Sequence, residues 1–277
     1  MTLSTAQANF GLEELANIDG GIKNKGKHNE NSMTEKLMGA YEGIVYDKNL
    51  GYLTHTLNSE IDNSLYSYFT KNKIEYSEQD ISDLVEYANV NDFDKKDVFG
   101  FGAYVGSLIS MLTEKNEKLG KHTIIEIPEN HLDYLGNKCE KFDVVKIGVN
   151  YGSGAFAGAR KGNLLYVEDC KGNLFAYGAG TRGGNIKMII GTNVSGDDFA
   201  YCAGRESGNI GAIVGVNVSG LSFADYAGND DGKIGKILKN SRKADIEYNK
   251  IVDELNKEYN LGLQQVKVRE PIECGES

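Results

Sequence analysis

The pattern of apolar positions changes partway along this chain. In the first part, apolar residues such as Ile81 and Leu84 recur at the three- and four-residue spacing of amphipathic helices. Ser77 precedes them, with Asp80 three residues later, which is the arrangement of a helix N-cap. Several such segments lie between residues 33 and 118, so the sequence predicts a small domain of four helices there.

In the second part, identical residues recur every 24 positions. Phe175, Phe199 and Phe223 form such a ladder, and each is followed by an alanine. Three further ladders keep the same spacing: Gly180, Gly204 and Gly228; Gly184, Gly208 and Gly232; and Ile186, Ile210 and Ile234. A fixed period of this length predicts a solenoid, in which one structural unit stacks on copies of itself. The three phenylalanines are then expected to stack directly on one another.

The repeating unit is predicted to be a β-coil and not a pair of helices. Each copy contains short runs of β-favouring residues, such as 186–190 and 210–214, which glycines or Asn-Val-Ser-Gly separate. A coil of about 24 residues has room for three short strands and three turns, so stacked coils predict parallel sheets. Phe156 opens a shortened 19-residue copy and Leu132 a degenerate one, which gives about five coils.

Two stretches of the repeat carry a family resemblance. One comprises residues 191–196, 199–204 and 207–210, and its copy runs from 215 to 234. They resemble the GXGXG family of right-handed β-helix domains, in which an aliphatic strand leads to a glycine corner, an Ala-Gly step and a Gly-Gly-x-Ile return. Such domains occur in the glutamate synthase large subunit and in formylmethanofuran dehydrogenase. The resemblance covers about residues 132–238 and implies a right-handed solenoid with a scaffolding role.

Together these patterns predict an α+β protein with four segments. Residues 1–32 are polar and rich in lysine and asparagine, which predicts a flexible leader. The helical domain of residues 33–118 is followed by a glycine-rich right-handed parallel β-helix over 119–240. Residues 241–277 are expected to form an amphipathic helix and a tail. This helix is predicted to cap the end of the solenoid, where strand edges would otherwise be unpaired.

The charge balance limits the classes of partner. The chain of 277 residues has a formal net charge of -10 at pH 7, so neither a nucleic acid nor an anionic membrane is expected as its main partner. Four basic residues cluster near the end of the solenoid, but acidic residues follow at once, and a solvated helix start is the favoured interpretation. The cluster comprises Lys236, Lys239, Arg242 and Lys243.

A cytoplasmic location is predicted. The first residues lack the features of a signal peptide, and the most apolar run, residues 98–112, is shorter than the roughly 18 residues that a membrane-spanning helix needs. No pair of cysteines has Cys-x-x-Cys spacing, which argues against a zinc site or a disulfide framework and fits a reducing compartment. The four cysteines are Cys139, Cys170, Cys202 and Cys274.

Candidate metal ligands are few. The nearest approach to a metal cluster combines two histidines and two glutamates: His122, His131, Glu126 and Glu129. Their spacing matches no familiar site, so surface positions are the favoured interpretation. Residues 229–232, Asn-Asp-Asp-Gly, are similar to a calcium-binding turn, but the equivalent turns of other coils lack matching acidic ligands. A solvated turn is therefore expected.

Other candidate features also favour structural interpretations. Glycine-rich strings at residues 148–154 and 178–184 are similar to phosphate-binding loops, but no helix is expected to follow either, so solenoid corners explain them better. Tyr177 and Tyr201 occupy one phase of adjacent coils and could form an aromatic strip for a sugar or a protein, although half-buried packing is favoured. Cys202 aligns with packed positions. Accordingly, no catalytic, cofactor-binding or metal-binding residue is predicted.

Two functions are compatible with these patterns. The favoured one is a non-catalytic β-solenoid scaffold or protein-interaction module, whose protein partner is unidentified and which could itself form oligomers. The alternative, which the family resemblance implies, is an accessory subunit of an oxidoreductase or amidotransferase complex related to glutamate synthase or formylmethanofuran dehydrogenase. An enzymatic activity of the chain itself is disfavoured, because the sequence carries no catalytic constellation, but it is left open.

Overall fold

The computed structural model describes residues 32–43, 57–91 and 98–270. Apart from Ser32, the leader predicted over residues 1–32 therefore lies outside the described residues. The elements, in chain order, are helices α1 (Met33–Tyr41), α2 (Leu57–Asn72), α3 (Glu78–Val90) and α4 (Val98–Lys118), strands β1 (Ile124–Asn130), β2 (Val144–Asn150), β3 (Lys161–Cys170), β4 (Asn185–Thr192), β5 (Asn209–Val216) and β6 (Lys233–Lys239), and helix α5 (Arg242–Tyr259). The prediction of helices, then a solenoid, then a C-terminal helix is confirmed.

The N-terminal helices form where the apolar spacing predicts them. At the start of α3, the Ser77 N–H donates to Asp80 Oδ2 at 2.7 Å and the Asp80 N–H donates to Ser77 Oγ at 3.4 Å, which is the predicted capping arrangement. Tyr104 of α4 is fully buried and donates its hydroxyl to the Leu37 carbonyl of α1 at 2.7 Å. Burial raises the pKa of the Tyr104 hydroxyl, so this contact stays protonated and holds the two helices together.

The solenoid contains one parallel sheet of six strands in chain order. Register partners lie 24 residues apart in the last coils, as in Ile186 and Ile210, but 20 apart in the first two, as in Val144 and Leu164. About five coils are therefore stacked, as predicted. The expectation of three strands per coil is wrong within the described residues, because each coil contributes a single strand and completes its circuit through turns.

The turn segments are regular even though they are not strands. In the middle of each turn segment every second residue has a positive φ, as in Leu174 (59°), Ala176 (53°) and Gly178 (60°). The N–H groups of successive positive-φ residues point alternately towards the next coil and the preceding coil. The Leu174 N–H donates to the Asp197 carbonyl of the next coil, whereas the Ala176 N–H donates to the Ala155 carbonyl of the preceding coil. Adjacent coils are thus hydrogen-bonded all the way round, which satisfies the buried backbone.

The predicted phenylalanine ladder is confirmed and lies inside the solenoid. The ring centroids of Phe175 and Phe199 are 5.3 Å apart, and those of Phe199 and Phe223 are 5.2 Å apart, with interplanar angles of 12° and 3°. Phe199 is only 1% exposed. The Lys239 ammonium lies 5.5 Å from the centroid of the Phe223 ring and covers the end of the stack.

The register predicted for the first coils is wrong. Phe156 does not continue the phenylalanine ladder, because the register places Ala155 one coil before Phe175. Phe156 instead has a φ of 55° and occupies the small-residue column that Ala176 continues. Its ring fits because Gly136 lies beneath it: a Cβ on Gly136 would be 2.5 Å from Phe156 Cε1. The copies predicted to start at Phe156 and Leu132 are accordingly replaced by coils of 20 residues.

Helix α5 covers a face of the sheet and does not cap its end, which corrects the predicted capping role. Its apolar side packs on the outer face of strands β2 to β5, in a core separate from the solenoid interior. The hydroxyl groups of Tyr248 in α5 and Tyr166 in β3 are 3.2 Å apart. The physical reason is that these strands carry apolar side chains on both faces. Those on the outer face are removed from water by packing against α5.

The first coil is closed by the helical domain. Helix α3 lies along β1, where Ser82 Oγ donates to the Glu126 carbonyl at 2.6 Å and Asn89 Nδ2 donates to the Glu129 carbonyl at 2.9 Å. Helix α4 packs so closely on the first coil that a Cβ on Gly102 would be 2.0 Å from the Tyr134 carbonyl oxygen. The strand edge that begins the solenoid is therefore covered.

Candidate functional site

The last coil of the solenoid is uncovered over most of its length in the described part of the chain. Near its start, Asn240 Oδ1 accepts the Val218 N–H at 2.8 Å, but the described turns that follow have no such cap. In the coil before it, the Cys202 N–H donates to the Asp225 carbonyl at 2.9 Å. The equivalent N–H of Tyr226, 24 residues later, has no protein acceptor among the described residues. Four further N–H groups of the last coil lose their acceptors among the described residues in the same way, those of Asn217, Ser222, Asp230 and Asp231. The coil thus presents a row of free backbone donors.

The side chains of this open end are partly apolar. Tyr226, Leu221 and Ile237 are 58%, 71% and 46% exposed. Leu221 also ends a polar ladder: Asn173 Oδ1 accepts the Asp197 N–H, and Asp197 Oδ1 accepts the Leu221 N–H, each across one coil. A leucine side chain cannot accept a hydrogen bond from a further coil. The open end therefore combines unpaired backbone with exposed apolar surface, which makes it the candidate interaction site.

Strand β6 adds basic side chains to this end. Lys236 forms an ion pair with Glu247 of α5, and this contact lowers the pKa of the Glu247 carboxyl. Lys239 covers the Phe223 ring, and Lys233 makes no ion pair within the described residues. The predicted basic cluster is thus divided between β6 and the start of α5, where Arg242 lies. Lysines on an edge strand disfavour pairing with another copy of the same edge.

The predicted tyrosine strip exists and is partly exposed. Tyr177 and Tyr201 are stacked with ring centroids 5.7 Å apart and an interplanar angle of 5°. Tyr226 continues the strip at 5.3 Å but is tilted by 58°. Because stacked rings cover one another's faces, the strip offers edges and hydroxyl groups to solvent, which does not suit the stacking of a sugar ring. Tyr226 is the last ring of the strip and is the one that lies in the open coil.

A polar cleft of about 390 Å³ lies beside the start of β2 and β3. At its edge, His122 Nδ1 is 2.7 Å from Asp143 Oδ2. Asp143 also accepts hydrogen bonds from the Thr123 N–H and from Asn163 Nδ2, so the carboxylate is fixed and buried. The sequence interpretation missed Asp143. The available signal was the 20-residue spacing between Asp143 and Asn163, which places them in adjacent coils.

The structure does not bring the candidate metal ligands together. His122 precedes β1 and His131 follows it, so the seven-residue strand separates them by about 20 Å. His131 Nε2 is 2.7 Å from Glu129 Oε1, and its ring stacks on Tyr151. No group of three or more potential metal ligands occurs among the residues that the structure describes.

The acidic turn and the glycine strings have structural roles. Asp230, in the turn similar to a calcium site, forms an ion pair with Arg205 of the preceding coil, and the turn is exposed. The glycine strings form corners and turns, and strands, not helices, follow them. A Cβ on Gly152 would lie 2.0 Å from the Leu132 carbonyl oxygen, so this glycine permits close stacking of two coils.

The cysteines of the solenoid are packed and buried. Cys139, Cys170 and Cys202 are buried and form no disulfide, whereas Cys274 lies outside the described residues. Burial raises the pKa of the Cys170 thiol to about 12. A thiol that stays protonated at neutral pH is a poor nucleophile, so Cys170 fills space in the corner and does not provide a reactive group.

Comparisons of the chain with family models, curated proteins and solved structures found no match. The resemblance to the GXGXG family, and the hand of the coil that it implies, therefore stay predictions. Among the described helices, none is both long enough and apolar enough to cross a membrane. The compartment stays a prediction as well.

Proposed function

We propose that this chain is a non-catalytic protein-interaction module, whose solenoid offers its last coil to a protein partner. The observation that carries the proposal is the difference between the two ends. Helix α3 donates side-chain hydrogen bonds to the edge of β1. In the described chain the outer edge of β6 is unpaired, and Asn240 caps the last coil at Val218 but leaves the turns beyond it uncovered.

Unpaired backbone groups and exposed apolar side chains make this end a favourable place to bind. A partner that covers Tyr226 and Ile237 removes apolar surface from water. It also supplies acceptors for the free N–H groups, so the polar part of the surface is not left unsatisfied. The stacked phenylalanines behind this surface make it rigid, which lowers the entropic cost of binding.

Native affinity purification of the tagged chain, with mass spectrometry and an absorbance spectrum of the eluate, tests the proposal. Ile237→Arg places a charge on the open end, and Ile246→Arg on α5 is a matched control, because the two isoleucines are 46% and 47% exposed. We expect a defined protein partner that Ile237→Arg loses and Ile246→Arg keeps. Circular dichroism should establish that both variants remain folded.

Two results would contradict the proposal. A partner that both variants retain would place the interaction elsewhere on the molecule. Recovery of a flavin, iron–sulfur or molybdopterin enzyme with its cofactor would favour the alternative, an accessory subunit of an oxidoreductase or amidotransferase complex, which rests on the family resemblance alone.

A further inference from the structure

The edge of β6 has the geometry that binds extended peptides. Each strand from β2 to β5 is hydrogen-bonded on both sides, but β6 pairs only with β5. About half of the backbone N–H and C=O groups of this seven-residue strand therefore point away from the sheet. An added strand satisfies such groups along its whole length, so the backbone contributes affinity and the side chains contribute specificity.

One buried column of side chains is incomplete at this edge. Ile189, Ile213 and Ile237 are register partners in successive strands. The first two are fully buried, whereas Ile237 is nearly half exposed. An aliphatic side chain opposite Ile237 on a seventh strand would complete the column and bury this isoleucine.

Charge selects among the strands that could bind. Lys233 and Lys239 flank Ile237 and make no ion pair within the described chain, whereas Lys236 is already paired with Glu247. A seventh strand places side chains about 5 Å from those of β6, so carboxylates opposite Lys233 and Lys239 are favoured. The β6 strand of a second copy would bring lysines against lysines. The edge therefore disfavours self-pairing.

We infer that β6 accepts an extended acidic segment of a partner protein as a seventh strand. The segment carries an aliphatic residue opposite Ile237 and carboxylates opposite Lys233 and Lys239. This inference rests on the proposed function, because it assigns the chemistry of the partner to the same open end.

Synthetic peptides with a fluorescent label test the inference by fluorescence polarisation against the full chain. The acidic probes are Glu-Val-Thr-Thr-Ile-Thr-Glu, for a parallel seventh strand, and its reverse sequence, for an antiparallel one. Control peptides replace both glutamates by lysine or two threonines by proline. We expect at least one acidic probe to bind, its lysine version to bind about tenfold more weakly or not at all, and its proline version to lose binding because it lacks the N–H donors.

Variants of the protein connect binding to the edge. Lys233→Glu should lower the affinity for the acidic probe and raise the affinity for its lysine version, each by about threefold or more. Lys257→Glu, on the exposed side of α5, should change neither affinity. The inference would be overturned if the acidic probe and its lysine version bound equally well, if no probe bound, or if Lys233→Glu left the affinities unchanged. A dimer that Ile237→Arg dissociates in sedimentation experiments would also overturn it, because a second copy would then be the occupant.

These outcomes can be distinguished from failure of the proposed function. If purification yields a partner that Ile237→Arg loses, but no probe shows charge preference, the interaction module stands and the acidic strand does not. If no partner depends on the open end, the proposed function fails whatever the probes do.

Discussion

Removing the Phe199 ring tests the interior ladder most directly. Phe199 is 1% exposed and lies between the rings of Phe175 and Phe223, with centroids 5.3 and 5.2 Å away. Strand β4 approaches the same ring so closely that a Cβ on Gly191 would be 2.7 Å from it. Phe199→Ala therefore opens a cavity that stacked coils surround on both sides, and hydrogen bonds between coils hinder its collapse.

The expected loss of stability is large. Replacing a buried phenylalanine by alanine typically costs 3 to 5 kcal/mol, about 4 as a central value, and the two ring contacts and the rigid surroundings place Phe199 in the upper part of that range. Tyr201→Ala is the matched control. Tyr201 stacks with Tyr177 at a similar distance, 5.7 Å, but on the outside of the solenoid. Its removal should cost about 1 kcal/mol or less.

Urea unfolding followed by far-ultraviolet circular dichroism measures both variants. The change in midpoint at an unchanged m value gives the difference in unfolding free energy. A loss below about 1 kcal/mol for Phe199→Ala, or equal losses for the two variants, would show that the ladder is not the packed interior described above.

Three further predictions concern backbone, thiol and hydroxyl groups. Gly204 has a φ of 67°, so Gly204→Ala should lower the thermal midpoint and Gly204→Val should lower it further, because a β-branched residue tolerates this conformation poorly; equal midpoints would contradict the assignment. In a Cys274→Ser background, the native chain should react with less than one equivalent of Ellman's reagent at pH 8, and with three after denaturation, because Cys170 and the other described thiols are buried. Burial raises the pKa of Tyr248, so its stabilising contribution is complete below the unfolded-state pKa of about 10 and is lost as the pH rises further. Tyr248→Phe should make the alkaline loss of stability, measured by urea unfolding between pH 8 and 11, less steep, and an unchanged slope would contradict this.

The sequence predicts the solenoid because most coils carry identical residues at equivalent positions. Where the phenylalanine, glycine and isoleucine ladders are intact, the register is the predicted one. In the second coil, Ala155 and Phe156 exchange the large and small positions, and Gly136 makes room for the displaced ring. Packing depends on the total side-chain volume in each coil and not on residue identity. Aligning Phe156 with Phe175 therefore predicts a coil of 19 residues, one residue shorter than the coil of 20 that is observed.

The position of α5 and the candidate site depend on long-range packing that periodicity does not encode. An amphipathic helix indicates that one side is buried but not which surface buries it. A signal was nevertheless present: strand runs such as 164–167 and 188–190 are apolar on both faces, which indicates a second cover. The open end is identified only after α3 is seen on β1 and α5 on the sheet face, because the sequence does not show which edge each helix leaves free.

The path of α5 links its length to the number of coils. The helix begins just after β6, contacts β3 through Tyr248, and ends with Tyr259 against His122, next to the start of β1. Eighteen residues span about 27 Å, and the five intervals between six strands span about 24 Å. Gain or loss of one coil changes the sheet by about 4.8 Å, the rise of roughly three helical residues. A chain that duplicated or deleted a single repeat would therefore have to change α5 by almost one turn, so the number of coils in this protein cannot vary independently of its last helix.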